Sequence, residues 1–97
     1  MTEDDLLSAV IDLARWRRWL VMHSRPARTA QGWRTAVQGD VGFVDLVIAR
    51  NGVVWFFELK SEKGRLGKGQ AEWATALGMQ YRLFRPSDWK EIELLLK

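Results

Sequence analysis

The chain contains no cysteine, which excludes both disulfides and thiolate-held metals. It has a single histidine, so no site can be assembled from several imidazoles of one chain. It has no apolar run approaching the roughly 18 residues of a membrane-spanning helix. The stretch Met1-Thr2-Glu3-Asp4-Asp5 is acidic and lacks the basic start of a secretory signal. These absences lead to the expectation of a soluble cytoplasmic protein with no membrane partner. Acidic side chains are also missing from the whole interval between Asp12 and Asp40. That interval holds Arg15, Arg17, Arg18, Arg25, Arg28 and Arg34, with His23. An arginine block of one sign suits a phosphate backbone, because guanidinium groups bind phosphate in a fixed fork. The alternative is a solvated surface without a partner.

What is present is enough for a core. Of 97 residues, 47% are apolar and six are tryptophan, consistent with one domain over 1–97. Leu7, Val10, Ile11 and Ala14 recur at helical spacing and predict a helix over 3–19, with Thr2 as its N-cap. Leu20 to His23 reads as a short strand. Residues 24–39 carry Pro26, Gly32 and Gly39 among polar residues and read as a long basic loop. Strands are predicted at 43–49 and 53–60, with Asn51-Gly52 as the turn of a hairpin. A polar connection, Ser61 to Gly69, leads to a helix over 70–78 and a strand from Met79 to Phe84. Pro86 and Ser87 open a last helix with Trp89, Ile92, Leu95 and Leu96 as its apolar stripe. The order α-β-β-β-α-β-α implies an α/β fold with a central mixed sheet covered by helices.

The chemistry concentrates on the hairpin. Asp45 interrupts Phe43-Val44-Asp45-Leu46-Val47-Ile48, and Glu58 and Lys60 end the second strand. Side chains alternate along a strand, so Glu58 and Lys60 share a face and Leu59 points into the opposite layer. Two carboxylates and a lysine at strand ends suit a hard divalent cation beside an activated water. The competing reading is an Asp45–Lys60 salt bridge across the hairpin. A second acid-x-lysine triplet, Asp88-Trp89-Lys90, opens a predicted helix, where Asp88 is explained as a cap.

Five ordered blocks carry a resemblance to a known family. They are Gly39-Asp40-Val41-Gly42-Phe43-Val44-Asp45-Leu46-Val47, Glu58-Leu59-Lys60-Ser61, Gly64-Arg65-Leu66, Gln70-Ala71-Glu72-Trp73 and Arg85-Pro86-Ser87-Asp88-Trp89. Together with Thr2-Glu3 and His23-Ser24-Arg25-Pro26, they resemble a VRR-NUC domain, a nuclease branch of the PD-(D/E)xK superfamily. The resemblance implies a restriction-endonuclease-like core and a catalytic set of Asp45, Glu58, Lys60 and Gln70. It implies Mg²⁺ or Mn²⁺ on Asp45 and Glu58, with the Leu59 carbonyl, and with Glu3 reaching the ion directly or through water. Where many members have proline before the metal-binding aspartate, this chain has Val44. The implied function is a DNA endonuclease similar to Holliday junction resolvases, working as a homodimer on branched DNA in a bacterial cell or phage-infected host. The alternatives are a nicking or general nuclease acting with replication, recombination or packaging partners, and a catalytically silent DNA-binding or scaffold protein.

The remaining residues divide by context. Arg25, Arg28 and Arg34 are the expected phosphate contacts, and Trp33 among them is read as a DNA-stacking or dimer contact. Lys63, Arg65 and Lys68 form a second basic run beside the site, read as phosphate contacts or a solvated connection. Trp16, Trp19, Trp55, Trp73 and Trp89 are expected in the core or an interface. His23 is read as structural or phosphate-contacting rather than as a metal ligand.

Overall fold

Thr2 opens the first helix through a reciprocal cap. Its hydroxyl accepts from the Asp5 amide at 3.1 Å, while the Asp5 carboxylate accepts from the Thr2 amide at 3.0 Å. The structure, a computed structural model, describes residues 1–24, 27–29, 32–34 and 38–97, with only the backbone described for 27–29 and 32–34. Helix α1 runs Glu3–Trp16 and buries Leu6, Val10 and Ala14 along one stripe.

The helix stops before the predicted residue 19 for a tertiary reason. Arg18 turns into the left-handed region at φ +68°, which lets Trp19 swing into the core and donate its indole N–H to the Leu96 carbonyl at 2.9 Å. The Arg17 guanidinium donates to the Glu93 carbonyl, and Arg50 stacks over the Trp19 ring at 4.2 Å. Helical continuation would carry these groups away from their partners.

Strand β1 (Leu20–His23) is followed by β2 (Ala27–Thr29) and β3 (Gly32–Arg34), then β4 (Leu46–Arg50) and β5 (Val53–Leu59). Helix α2 spans Lys68–Leu77, β6 spans Tyr81–Phe84 and α3 spans Trp89–Leu95, with short 3₁₀ turns at 78–80 and 86–88. The expected loop over 24–39 is therefore corrected. Within it, β2 and β3 pair antiparallel as a separate two-stranded ribbon, Arg28 opposite Trp33. Main-chain bonds define such a ribbon, and the apolar periodicity used to recognise strands does not report them.

The main sheet has the order β1-β4-β5-β6. Its first two pairings are antiparallel and the last is parallel, giving the expected mixed α/β sheet. The β4–β5 turn places Asn51 and Gly52 at φ +51° and +81°, the left-handed pair that this dipeptide favours. One face of the sheet, carrying Leu46, Ile48, Phe57, Leu59 and Phe84, packs on α1 and α3 through Leu6, Val10, Ile92 and Leu96. The other face carries Phe56 and Glu58 and is covered by α2. There Phe43 packs edge-on against both Phe56 and Trp73.

The core-or-interface expectation for the tryptophans divides, and the start of the last strand changes. Trp19 is buried and Trp55 and Trp89 pack against the core, whereas Trp16, 85% exposed, lies outside the core. The predicted strand at Met79 begins at Tyr81, because Gly78, at φ +63°, turns the chain first. Among the described residues, no helix is long and apolar enough to cross a membrane.

Candidate functional site

Asp45, Glu58, Lys60 and Gln70 come together on the α2 side of the sheet. Asp45 lies just before β4 rather than within it, correcting the predicted strand start at 43. Its position has a local cause. Once β4 begins at Leu46, no main-chain acceptor on that side continues the ladder to Leu59. The Asp45 carboxylate fills the gap, with Oδ2 accepting from the Leu59 amide at 2.8 Å. On the other side, the Lys60 amide reaches the Phe84 carbonyl of β6 at 3.0 Å. The strand end that bears Glu58 and Lys60 is thus fixed from both flanks.

Glu58 is only 2% exposed, and it is the one charged residue among the described buried set. Two donors address the same oxygen. Gln70 Nε2 donates to Oε2 at 3.0 Å, and Lys60 Nζ lies 3.8 Å from it. The Gln70 amide is oriented by its own helix, since Oε1 accepts from the Gly67 amide at 2.8 Å and so turns Nε2 toward Glu58. Burial first, and then the neighbouring Asp45, push the Glu58 carboxyl up to about 8, and Lys60 opposes the shift only in part. Glu3, exposed at the start of α1, adds the smallest contribution in the same direction, so its charge reaches the site. The ion pair that Lys60 forms is with Glu58, not the Asp45–Lys60 bridge weighed from sequence.

Gly42 brings α2 to this place, a role the sequence did not reveal. Its φ is +91°, and a Cβ there would lie 2.5 Å from the Gly69 carbonyl carbon and 2.6 Å from the Gln70 nitrogen. The segment leading to Asp45 therefore passes in backbone contact with the start of α2, which only glycine allows. Tyr81 was missed as well. It stands beside Phe56 in the parallel β5–β6 ladder, on the face that bears Glu58. Its signal in the sequence is faint, since a tyrosine in a short strand is ordinary.

Asp88 behaves as the helix-start reading expects, accepting from the Arg85 amide at 2.8 Å. Arg85 donates to the Ser61 carbonyl at 2.6 Å and the Gly64 carbonyl at 2.8 Å. Glu62 accepts from the Ser87 amide at 2.6 Å. These bonds hold the connection after Lys60, on which Lys63 and Arg65 stand exposed, and Lys68 is exposed at the start of α2. His23 is half-buried opposite Leu46 on β1. Arg25 lies outside the described residues, as do the side chains of Arg28, Trp33 and Arg34. An open cavity of about 290 Å³ beside Gly69 and Trp73 is lined by Asp40 and Glu72, a sign of charge that repels phosphate.

The donor set can be tested against a divalent cation. Asp45 and Glu58 are hard oxygen ligands, and their mutual repulsion in a buried place is what a cation relieves. Among the described residues no cluster of three or more His, Cys, Asp or Glu forms. The protein would therefore supply two carboxylates and the Leu59 carbonyl. That partial shell suits Mg²⁺ or Mn²⁺, which keep waters and substrate oxygens as ligands. Comparison with protein-family models, with curated proteins and with solved structures finds no match for this chain.

Proposed function

We propose that this chain is a metal-dependent DNA endonuclease with a PD-(D/E)xK core of the VRR-NUC type. The observation that carries the reading is the convergence of Asp45 and Glu58, the latter buried, with Lys60 and Gln70 at one strand end. Asp45, Glu58 and the Leu59 carbonyl would hold Mg²⁺ or Mn²⁺, and Glu3, the weakest of the charges felt at Glu58, would join through water. When bound, such an ion polarises a phosphoryl oxygen and makes its water a stronger nucleophile at neutral pH.

The protein groups have separable tasks. Lys60 places a positive charge beside the attacking water and the phosphate. Gln70 fixes the rotamer of Glu58. Arg25, Arg28 and Arg34, with Lys63, Arg65 and Lys68, hold the DNA backbone, and Trp33 offers a stacking face. One small domain carries one site, so paired cuts in branched DNA require a two-fold homodimer. The proposed setting is the cytoplasm.

The decisive test is cleavage of matched duplex, flap and four-way junction DNA with Mg²⁺ or Mn²⁺. Activity should vanish in excess EDTA. Asp45→Ala, Glu58→Ala and Lys60→Ala should each lower the rate by roughly 10²–10⁴-fold while DNA binding persists. Reversing charge at Arg25, Arg28 and Arg34 should instead weaken binding and flatten its salt dependence. Robust cleavage in EDTA overturns the metal site, and binding without cleavage returns the chain to a DNA-binding scaffold. Sedimentation with and without junction DNA tests the dimer.

A further inference from the structure

Two buried side-chain polar atoms among the described residues have no hydrogen-bond partner in the protein, Trp55 Nε1 and the Tyr81 hydroxyl. They differ in surroundings. Trp55 lies opposite Ile48 on the core side of the sheet, under the Arg82 guanidinium at 4.8 Å. Tyr81 lies on the other side. Its strand partner is Phe56, and the next residue of β5 on that face is Glu58. A buried hydroxyl left without a partner is uncommon and calls for a reason. Glu58 offers one. Gln70 and Lys60 both address Oε2, Asp45 meets the carboxyl from the β4 side, and the charge of Glu58 is felt at the Tyr81 phenol.

We propose that Tyr81 is a positioning residue of the carboxylate site, its hydroxyl donating through one bound water to Glu58 and fixing which carboxylate oxygen faces the cation. The proposal rests on the nuclease reading for its consequence, but not for the contact itself. Burial, and then the charges of Glu58 and Asp45, hold the phenol up at about 12, so it remains a donor throughout the working range and feels both carboxylates. Gln70 and Tyr81 then clamp Glu58 from two elements, α2 and β6. Carboxylates that hold a metal are commonly hydrogen-bonded in turn by such neighbours.

Tyr81 is the only tyrosine in the chain, so a Cζ carbon label on tyrosine reports it alone. In the cation-free protein, Glu58→Gln should move that resonance, and Mg²⁺ should move it in the wild type. Tyr81→Phe keeps the ring. It should weaken Mn²⁺ binding, measured by calorimetry, about 3- to 10-fold, and lower kcat with KM for DNA unchanged. Tyr81→Trp, which restores an N–H donor, should recover part of the loss. A resonance indifferent to Glu58→Gln, with Tyr81→Phe matching wild type in Mn²⁺ affinity and kcat, overturns the proposal. A wild type that neither binds Mn²⁺ nor cleaves DNA, yet shows the Glu58→Gln response, sinks the nuclease reading and keeps the Tyr81–Glu58 link.

Discussion

The two faces of the main sheet are built on opposite rules. The face toward α1 and α3 is apolar without interruption, with Leu46, Ile48, Phe57, Leu59 and Phe84 all nearly inaccessible. The face toward α2 starts in the same way, with Phe43, Phe56 and Trp73 packed edge to face. It then places Glu58 and the Tyr81 hydroxyl in the same layer. Adjacent residues of one strand, Phe57, Glu58 and Leu59, thus stabilise the fold, oppose it and stabilise it again. Charge buried at one spot on an otherwise well-packed scaffold is how binding sites are held rigid at a cost in stability.

Substitutions at the two faces should separate these rules. The largest effect is expected on the core face. Phe57→Ala removes a fully buried ring that meets Phe84 edge-on at 5.0 Å, and should destabilise by about 3–5 kcal/mol in urea titrations. A loss below about 1 kcal/mol would mean the core is not where stability resides.

Glu58→Gln should act in the opposite direction. The folded carboxyl titrates at about 8 against an ordinary 4.5, so between those values the folded state holds a proton that the unfolded chain has released. Stability contributed by this group is therefore full below the ordinary value and falls as pH rises toward 8, by roughly 1.4 kcal/mol per unit of displacement. The glutamine variant should lose that slope, and at pH 8 it should melt higher than wild type while failing to cleave DNA. Parallel melting curves of the two proteins across pH 4 to 9 would remove the contrast between the faces. Added Mg²⁺ should raise the wild-type melting temperature at pH 8 and leave the variant nearly unmoved.

Gly42→Ala should cost about 2 kcal/mol, since it strains a positive φ and drives a Cβ into the backbone of α2. It should also release Gln70 from Glu58, so activity is expected to fall further than stability explains. Full activity in a destabilised protein would show that the Gly42 contact serves folding alone. The smallest effect is expected for Asp88→Ala, about 1 kcal/mol from the lost cap with cleavage unchanged. An essential Asp88 beside a dispensable Glu58 would place the site at Asp88-Trp89-Lys90 instead.

Much of this division was legible in the residues. Alternation along Trp55-Phe56-Phe57-Glu58-Leu59-Lys60 placed Glu58 and Leu59 in different layers, and the Asn51-Gly52 turn folded Asp45 back toward them. Asp88 was separable from Glu58 by its position before a helix. Other features were hidden because their signals are not periodic. The β2–β3 ribbon is a main-chain pairing. The end of α1 depends on where Leu96 and Glu93 arrive from the far end of the chain. Trp16 and Trp19 look alike in the sequence, yet one is 85% exposed and the other 5%.

The sequence by itself determined the order of the helices and main-sheet strands, the hairpin turn and the residue types of the site, because capping, turn chemistry and side-chain alternation act over a few residues. Only the tertiary structure decided how the charges pair. Lys60 joins Glu58 rather than Asp45, one Asp45 oxygen takes the Leu59 amide, and Gln70 reaches across because Gly42 and Gly69 let two backbones touch. Those outcomes depend on distances between segments remote in the chain and on how much water remains around them. Burial sets the ionisation of Glu58, and no local pattern of residues encodes burial.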